Sequence, residues 1–180
     1  MGEIINEKLD LCTFNTRGLR DTSKRRTVLR WLKQYHKGII FLQETHTSED
    51  IVKKWKSEWK GQMFFSHGSS SARGTAILIS PHVEIDVNNV HTDNEGRFIL
   101  LEAIFERQTI ILANIYAPTK DKKDLQISFF QSIHVKLIEY MDKHLIIGGD
   151  FNVCLQPEID KKGGTLENQS ECAVKIECLM

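Results

Sequence analysis

The sequence predicts an α/β sandwich, and three observations carry that expectation. Short apolar strands alternate with amphipathic helices at both ends of the chain, a run of strands without helices lies between them, and most strands end on a polar residue. The composition agrees: 41% hydrophobic and 27% charged residues over 180 positions belong to a folded domain rather than a disordered chain.

The elements follow in order. Leu9, Leu11, Thr13 and Asn15 alternate and predict a first strand over 9–15 with those four on one face. Asp21 or Thr22 caps a helix from about Lys24 to Lys37, where Val28, Leu29, Trp31, Leu32 and Tyr35 recur at helical spacing until Gly38 stops it. Ile39 to Gln43 is a continuous apolar run, the pattern of a strand buried on both faces. Ser48 caps a second, charged helix carrying Trp55 and Trp59. Strands are then expected over Gln62–Ser66, Thr75–Ile79, Val83–Val90, Arg97–Phe105 and Gln108–Tyr116, with Glu106-Arg107 as a hairpin turn. The stretch from Gly68 to Gly74 reads as a flexible loop. Thr119 caps a long helix from about Lys122 to Met141, turning Phe129, Phe130, Ile133, Leu137, Ile138 and Tyr140 inward. A last buried strand runs from His144 to Gly149, and Glu167–Met180 reads as the start of another helix.

Several function classes find no support. Basic and acidic residues balance at 24 each, so any contact with nucleic acid must come from local clustering. No apolar run approaches a membrane span, and the acidic N-terminus lacks a signal-peptide core. Its Gly2 start lacks the Ser or Thr that myristoylation requires, and without a signal the triplet Asn168-Gln169-Ser170 says little. Cys12, Cys154, Cys172 and Cys178 show neither zinc nor disulfide spacing, so the expectation is an intracellular chain with reduced thiols and no membrane partner. There is no Gly-x-Ser-x-Gly elbow and no phosphate loop ending in Gly-Lys-Ser/Thr. None of the seven histidines forms a recognisable dyad with a neighbouring aspartate in the sequence.

The residues that can carry chemistry are those at strand ends. Asn15, Glu44, Tyr116, Asp150 and Asn152 each follow a predicted apolar strand, where open α/β folds gather their ligands. Two carboxylates and two carboxamides converging there suit a hard cation such as Mg²⁺. Each residue alone also has an ordinary reading as a turn or cap; their coincidence is what points to a site. Beside Asn15, the segment 17–37 holds eight basic residues and one acidic, so Arg17, Arg20 and Lys24 are candidate phosphate contacts. Residues beyond Arg26 read equally well as a solvated helix face.

These motifs resemble a known family. Thr-Phe-Asn-Thr-Arg-Gly-Leu at 13–19, Phe-Leu-Gln-Glu-Thr-His at 41–46, Asn-Ile-Tyr-Ala-Pro at 114–118 and Gly-Gly-Asp-Phe-Asn at 148–152 resemble, in this order, the endonuclease/exonuclease/phosphatase superfamily. Within it, the chain is similar to the apurinic-type endonuclease domain of non-long-terminal-repeat retrotransposons. The resemblance implies a four-layer α/β sandwich, with two mixed, largely antiparallel sheets face to face and helices outside. It would occupy 7–180 after a short extension, 1–6.

The implied activity is a Mg²⁺-dependent phosphodiesterase that nicks DNA, with Mn²⁺ as a substitute cation. By resemblance Glu44 and Asn15 sit at the cation, and Tyr116 bonds a phosphate oxygen. Asp150 orients or deprotonates the attacking water, and Asn152 holds the scissile phosphate. The implied partners are DNA and the reverse transcriptase region of a longer polyprotein, with nuclear access and a monomeric domain as the default. The family also places a Ser-Asp-His triplet well after Gly-Asp-Phe-Asn. Here the last histidine is His144 and the only aspartate beyond Asp150 is Asp160. The expectation is therefore a domain incomplete at its C-terminus, with weak or absent nicking. The alternatives are a non-catalytic nucleic-acid-binding remnant and a phosphatase of the same fold.

Overall fold

The structure, a computed structural model, describes residues 9–69 and 71–154. The extension 1–6, the helix start at 167–180, Cys172, Cys178 and the 168–170 triplet lie outside the described residues, as does Ser70 within the predicted loop. The strands are β1 (Leu11–Asn15), β2 (Ile39–Gln43), β3 (Gln62–Ser66), β4 (Thr75–Ile79), β5 (Asp86–Thr92), β6 (Phe98–Phe105), β7 (Gln108–Tyr116) and β8 (His144–Asp150). The helices are α1 (Thr22–Tyr35), α2 (Glu49–Glu58) and α3 (Lys123–Leu137).

Two four-stranded sheets form, ordered β1-β2-β4-β3 and β5-β6-β7-β8. In the first, β1 and β2 are parallel and the other pairs antiparallel; in the second, β7 and β8 are parallel and the rest antiparallel. Both sheets are mixed, as the predicted class requires. Side-chain alternation then creates three apolar layers. Ile39, Phe41, Ile77 and Ile79 of the first sheet pack against Ile99, Leu101, Ile110 and Leu112 of the second. The opposite face of the first sheet, through Ile40, Leu42, Ala76 and Leu78, buries Leu29, Leu32, Trp55 and Trp59. The opposite face of the second, through Phe98, Leu100, Ile111 and Ala113, buries Phe130, Ile133 and Leu137. The result is a helix–sheet–sheet–helix sandwich.

Several element boundaries differ from expectation. Asp21 is the cap of α1, its side chain accepting from Lys24 N at 2.7 Å, so the helix starts at Thr22. Trp31 and Tyr35 do not enter the core; they are 42% and 60% exposed, and Trp31 leans on Phe14 with ring centres 5.8 Å apart. β1 is an edge strand, which leaves Leu11 and Phe14 partly in solvent. Ser48 and Thr119 occupy cap positions, but neither side chain makes a capping hydrogen bond. The predicted strand over 83–90 is shifted to Asp86–Thr92, because Val83 closes a turn onto Ser80. The last helix is segmented: a 3₁₀ turn at Lys120–Lys122 precedes α3 and another at Ile138–Tyr140 follows it. That tightening leaves Ile138 56% exposed and brings Tyr140 inward.

Candidate active site

The two parallel pairs place the site. β1 runs beside β2 in one sheet and β7 beside β8 in the other, so each pair ends together: Asn15 opposite Gln43, and Tyr116 opposite Asp150. Because the sheets are stacked, these carboxyl ends meet across the interlayer. Asn15 Nδ2 donates to Glu44 Oε1 at 2.9 Å and to Asp150 Oδ2 at 2.8 Å, so one amide nitrogen joins carboxylates from opposite sheets. Tyr116 donates its hydroxyl to the same Glu44 oxygen at 3.0 Å. Four of the five strand-end residues therefore form one bonded cluster.

Glu44 leaves the end of β2 with φ of 51°, a left-handed conformation rare outside glycine. Its neighbours hold it there. Gly18 N and Thr16 Oγ1 both donate to the Glu44 carbonyl, and Thr45 N donates to Gly74 O at 3.0 Å. Gly18 and Gly74 are required by this clamp: both have positive φ, and a Cβ would lie 2.7 Å from the His46 ring at the first and 2.5 Å from Thr45 Oγ1 at the second.

Asp150 is fixed at both oxygens, Oδ2 by Asn15 and Oδ1 by Asn152 N at 3.1 Å. Gly148 and Gly149 allow its approach. A Cβ on Gly148 would sit 2.7 Å from the Phe41 ring of the facing sheet, and one on Gly149 would collide with the Ile115 carbonyl. The Asn152 side chain turns away from the cluster, with φ of 50° and Nδ2 donating to Ala117 O at 2.8 Å. Gln126 of α3 ties the neighbouring turns by donating to Pro118 O and Asn152 O.

Tyr116 remains a neutral donor, its pKa pushed up to about 12 by burial first and then by the Glu44 charge. Arg97 opposes the second effect. Its guanidinium lies 5.3 Å from the Tyr116 ring centre and donates to the Tyr116 carbonyl at 3.2 Å. Among the basic residues, Arg17, Arg20 and Lys24 are exposed; Arg17 N donates to Asn15 Oδ1 at 3.1 Å, and Lys24 Nζ donates to the Arg17 carbonyl at 2.7 Å. Arg25, counted in the same basic run, is instead 1% exposed and paired with Glu58 at 2.6 Å, tying α1 to α2.

The resemblance puts Asn15 at the cation beside Glu44. In this arrangement its Oδ1 accepts from Arg17 N and its Nδ2 serves the two carboxylates. Two facing carboxylates aimed at one point fit a hard cation that keeps most of its water, the habit of Mg²⁺. Among the described residues no group of three His, Cys, Asp or Glu side chains gathers, so a softer metal held entirely by protein finds no cage.

Sequence reasoning missed Arg97, Gln126, Gln43 and Asn114. Arg97 had a signal: counting back from the two-residue turn Glu106-Arg107 along paired strands places it opposite Tyr116, where Tyr116 N donates to Arg97 O at 2.7 Å. Gln126 had none, because it belongs to a helix whose register on the loops is a tertiary matter.

Comparison with known proteins identifies the family and the fold. Residues 12–162 match the Endonuclease/Exonuclease/phosphatase family. Over 149 residues, 82% of this chain and 11% of the relative, the sequence is 36% identical to the transposon TX1 uncharacterized 149 kDa protein of Xenopus laevis. Over 163 residues, 86% of this chain and 62% of the relative, it is 27% identical to an exodeoxyribonuclease of Bacillus subtilis. The chain thus spans less than two thirds of either relative. Among solved structures, an AP endonuclease from Leishmania major superposes with a TM-score of 0.76 at 17% identity, covering 96% of this chain and 66% of that one, a likeness of fold.

Proposed function

The chain belongs to the endonuclease/exonuclease/phosphatase family, and we propose that within it this is a Mg²⁺-dependent phosphodiesterase that nicks DNA and derives from a retroelement. The observation that carries the reading is the single amide nitrogen of Asn15 joining Glu44 and Asp150 across the two sheets. Two carboxylates held this closely without a cation repel each other, and a shared donor supplies part of the missing positive charge.

In this reading Glu44 holds the cation, and Mn²⁺ can replace Mg²⁺. Asn15 sits at the cation beside Glu44 and keeps both carboxylates aimed at the same point. The cation supplies Lewis-acid neutralisation of charge on the phosphate. Asp150, fixed in orientation, aligns a water against phosphorus and takes its proton as the new P–O bond forms; the P–O bond to the sugar breaks, and the departing oxygen takes a proton from solvent. Tyr116, neutral up to strongly alkaline pH, transfers its hydrogen bond from Glu44 to a phosphate oxygen. Asn152 exchanges its bond to the Ala117 carbonyl for one to the same phosphate. Positioning and charge stabilisation supply most of the rate in phosphoryl transfer, and both are provided here by groups on rigid strand ends. Arg17, Arg20 and Lys24 contact flanking phosphates and contribute salt-dependent affinity.

DNA is the substrate most consistent with the transposon relative; a reverse transcriptase region of a longer polyprotein as partner, nuclear access and a monomeric domain are part of the same proposal. No helix among the described residues is long and apolar enough to cross a membrane.

The experiment is nicking of supercoiled plasmid, run beside phosphate release from small phosphomonoesters. Weak Mg²⁺-dependent nicking without phosphate release is the expected result. Phosphate release without nicking would replace this reading with a phosphatase. Salt-sensitive binding that depends on Arg17, Arg20 and Lys24, without any cleavage, would replace it with a binding module.

A further inference from the structure

We infer that Asn114, working through Gln43, is the positioning residue that sets where Glu44 leaves the sheet; the inference rests on the cation-dependent reading above. Asn114 is fully buried in β7. It shares its strand face with Ile110 and Leu112, both of which pack between the sheets, so an apolar residue is what its surroundings ask for. A carboxamide there is tolerable only if its groups are paired. They are: Nδ2 donates to Leu42 O at 2.9 Å and to Ala76 O at 2.8 Å, and Oδ1 accepts from Gln43 Nε2 at 2.7 Å.

The two carbonyls that Asn114 takes belong to one register pair, Leu42 opposite Ala76, the last pair of the β2–β4 ladder. Backbone pairing resumes beyond it with Thr45 N on Gly74 O and His46 N on Arg73 O. Between these points β2 contributes Gln43 and Glu44 against Thr75 alone, which is the two-against-one count of a β-bulge. The bulge puts Glu44 in its left-handed conformation. Asn114 thus occupies the opening the bulge makes, and does so from the other sheet.

The same network reaches both remaining partners of Glu44. Gln43 Nε2 also donates to Thr13 Oγ1 at 3.1 Å, and Thr13 lies two residues before Asn15 on the same face of β1. Asn114 itself lies two residues before Tyr116. One row, Thr13–Gln43–Asn114, buried at Gln43 and Asn114 and open to solvent at Thr13, therefore ties the two sheets together directly beneath Asn15, Glu44 and Tyr116. Asn114 touches none of the groups that would react, so its effect is on where Glu44 sits, and small displacements of a cation ligand are costly.

The test compares Asn114→Leu with Leu112→Ala, a substitution on the same strand and face that removes core packing but no hydrogen bond. The readouts are Mn²⁺ affinity by electron paramagnetic resonance and hydrogen exchange at the Thr45 and His46 amides. Asn114→Leu is expected to weaken Mn²⁺ binding about tenfold or more. It should also accelerate exchange at those two amides well beyond what Leu112→Ala does at matched Tm. If Asn114→Leu keeps the parent affinity and exchanges like Leu112→Ala, the residue is only a structural tie and the inference is overturned. Should Asn114→Leu not fold, Gln43→Met cuts the same row and is read by the same criteria. A parent that binds no Mn²⁺ would refute the cation reading instead, and the exchange comparison alone then decides the positioning role.

Discussion

Replacing Asn15 by aspartate should turn the centre of the site from a clamp into a repulsive cluster. The native amide nitrogen lies 2.9 Å from Glu44 Oε1 and 2.8 Å from Asp150 Oδ2. Asn15→Asp deletes both donated bonds, each worth about 1.5–3 kcal/mol to a charged acceptor. It also sets a third carboxylate beside two others, at about 4 kcal/mol per pair for 4 Å separation and an effective dielectric near 20. The site is half exposed, so solvent and side-chain movement relieve much of this repulsion, and a net loss of about 3–6 kcal/mol is expected. That is a large share of the roughly 5–15 kcal/mol available to a domain. The sign with pH follows from linkage. The new carboxyl is pushed up by its neighbours in the folded state, so the penalty is full above its folded pKa and is lifted as pH falls towards the ordinary aspartate value. Urea melts near pH 7 and near pH 4.5 measure this, and Mg²⁺ should restore part of the loss at the higher pH. If the variant melts like the parent at both pH values, with no effect of Mg²⁺, the two carboxylates do not converge on Asn15 and the site is wrongly built.

Further expectations follow from the same geometry. Tyr116→Phe should flatten the alkaline limb of stability: the phenol, held at about 12 when folded against about 10 unfolded, contributes stability that is present below the lower value and lost as pH rises to the higher; urea melts at pH values spanning that interval read it. Glu58→Gln should destabilise the chain by about 3 kcal/mol by weakening the partner of a buried arginine, with thermal melts as the measure. The parent carboxyl is held below its usual range chiefly by its bond to Arg25, so that contribution exists above the ordinary glutamate pKa and is lost as pH falls through the lowered one. Gly148→Ala should cost about 1–3 kcal/mol by forcing the Phe41 ring away, visible in the same melts and as a loss of Mg²⁺ affinity, since Asp150 follows two residues later.

How much of this was legible in the sequence depended on how local each signal was. β3, β4 and β7 have the predicted bounds because their apolar runs end abruptly in Gly, Ser, Pro or charged residues. β5 was misplaced because its exposed pattern carries almost no alternation; its extent is decided by pairing of His91 and Thr92 with Leu100 and Ile99. The broken end of α3 was invisible for a related reason, since the sequence keeps a helical period through Met141 while packing tightens the backbone at Ile138. At the site, strand ends named Asn15, Glu44, Tyr116 and Asp150 correctly as neighbours. The sequence gives no hint that Asn15 faces them with its nitrogen, nor that Asn152 binds Ala117. Those choices, like the burial of Asn114, are made by contacts between residues 29 or more apart in the chain.

The most direct test of the central claim is plasmid nicking by the purified chain in Mg²⁺, against the same chain in chelator and against Asp150→Ala with an unchanged circular dichroism spectrum. The account predicts weak nicking, and only in the parent with Mg²⁺. Nicking that survives either chelation or the loss of Asp150 would contradict it.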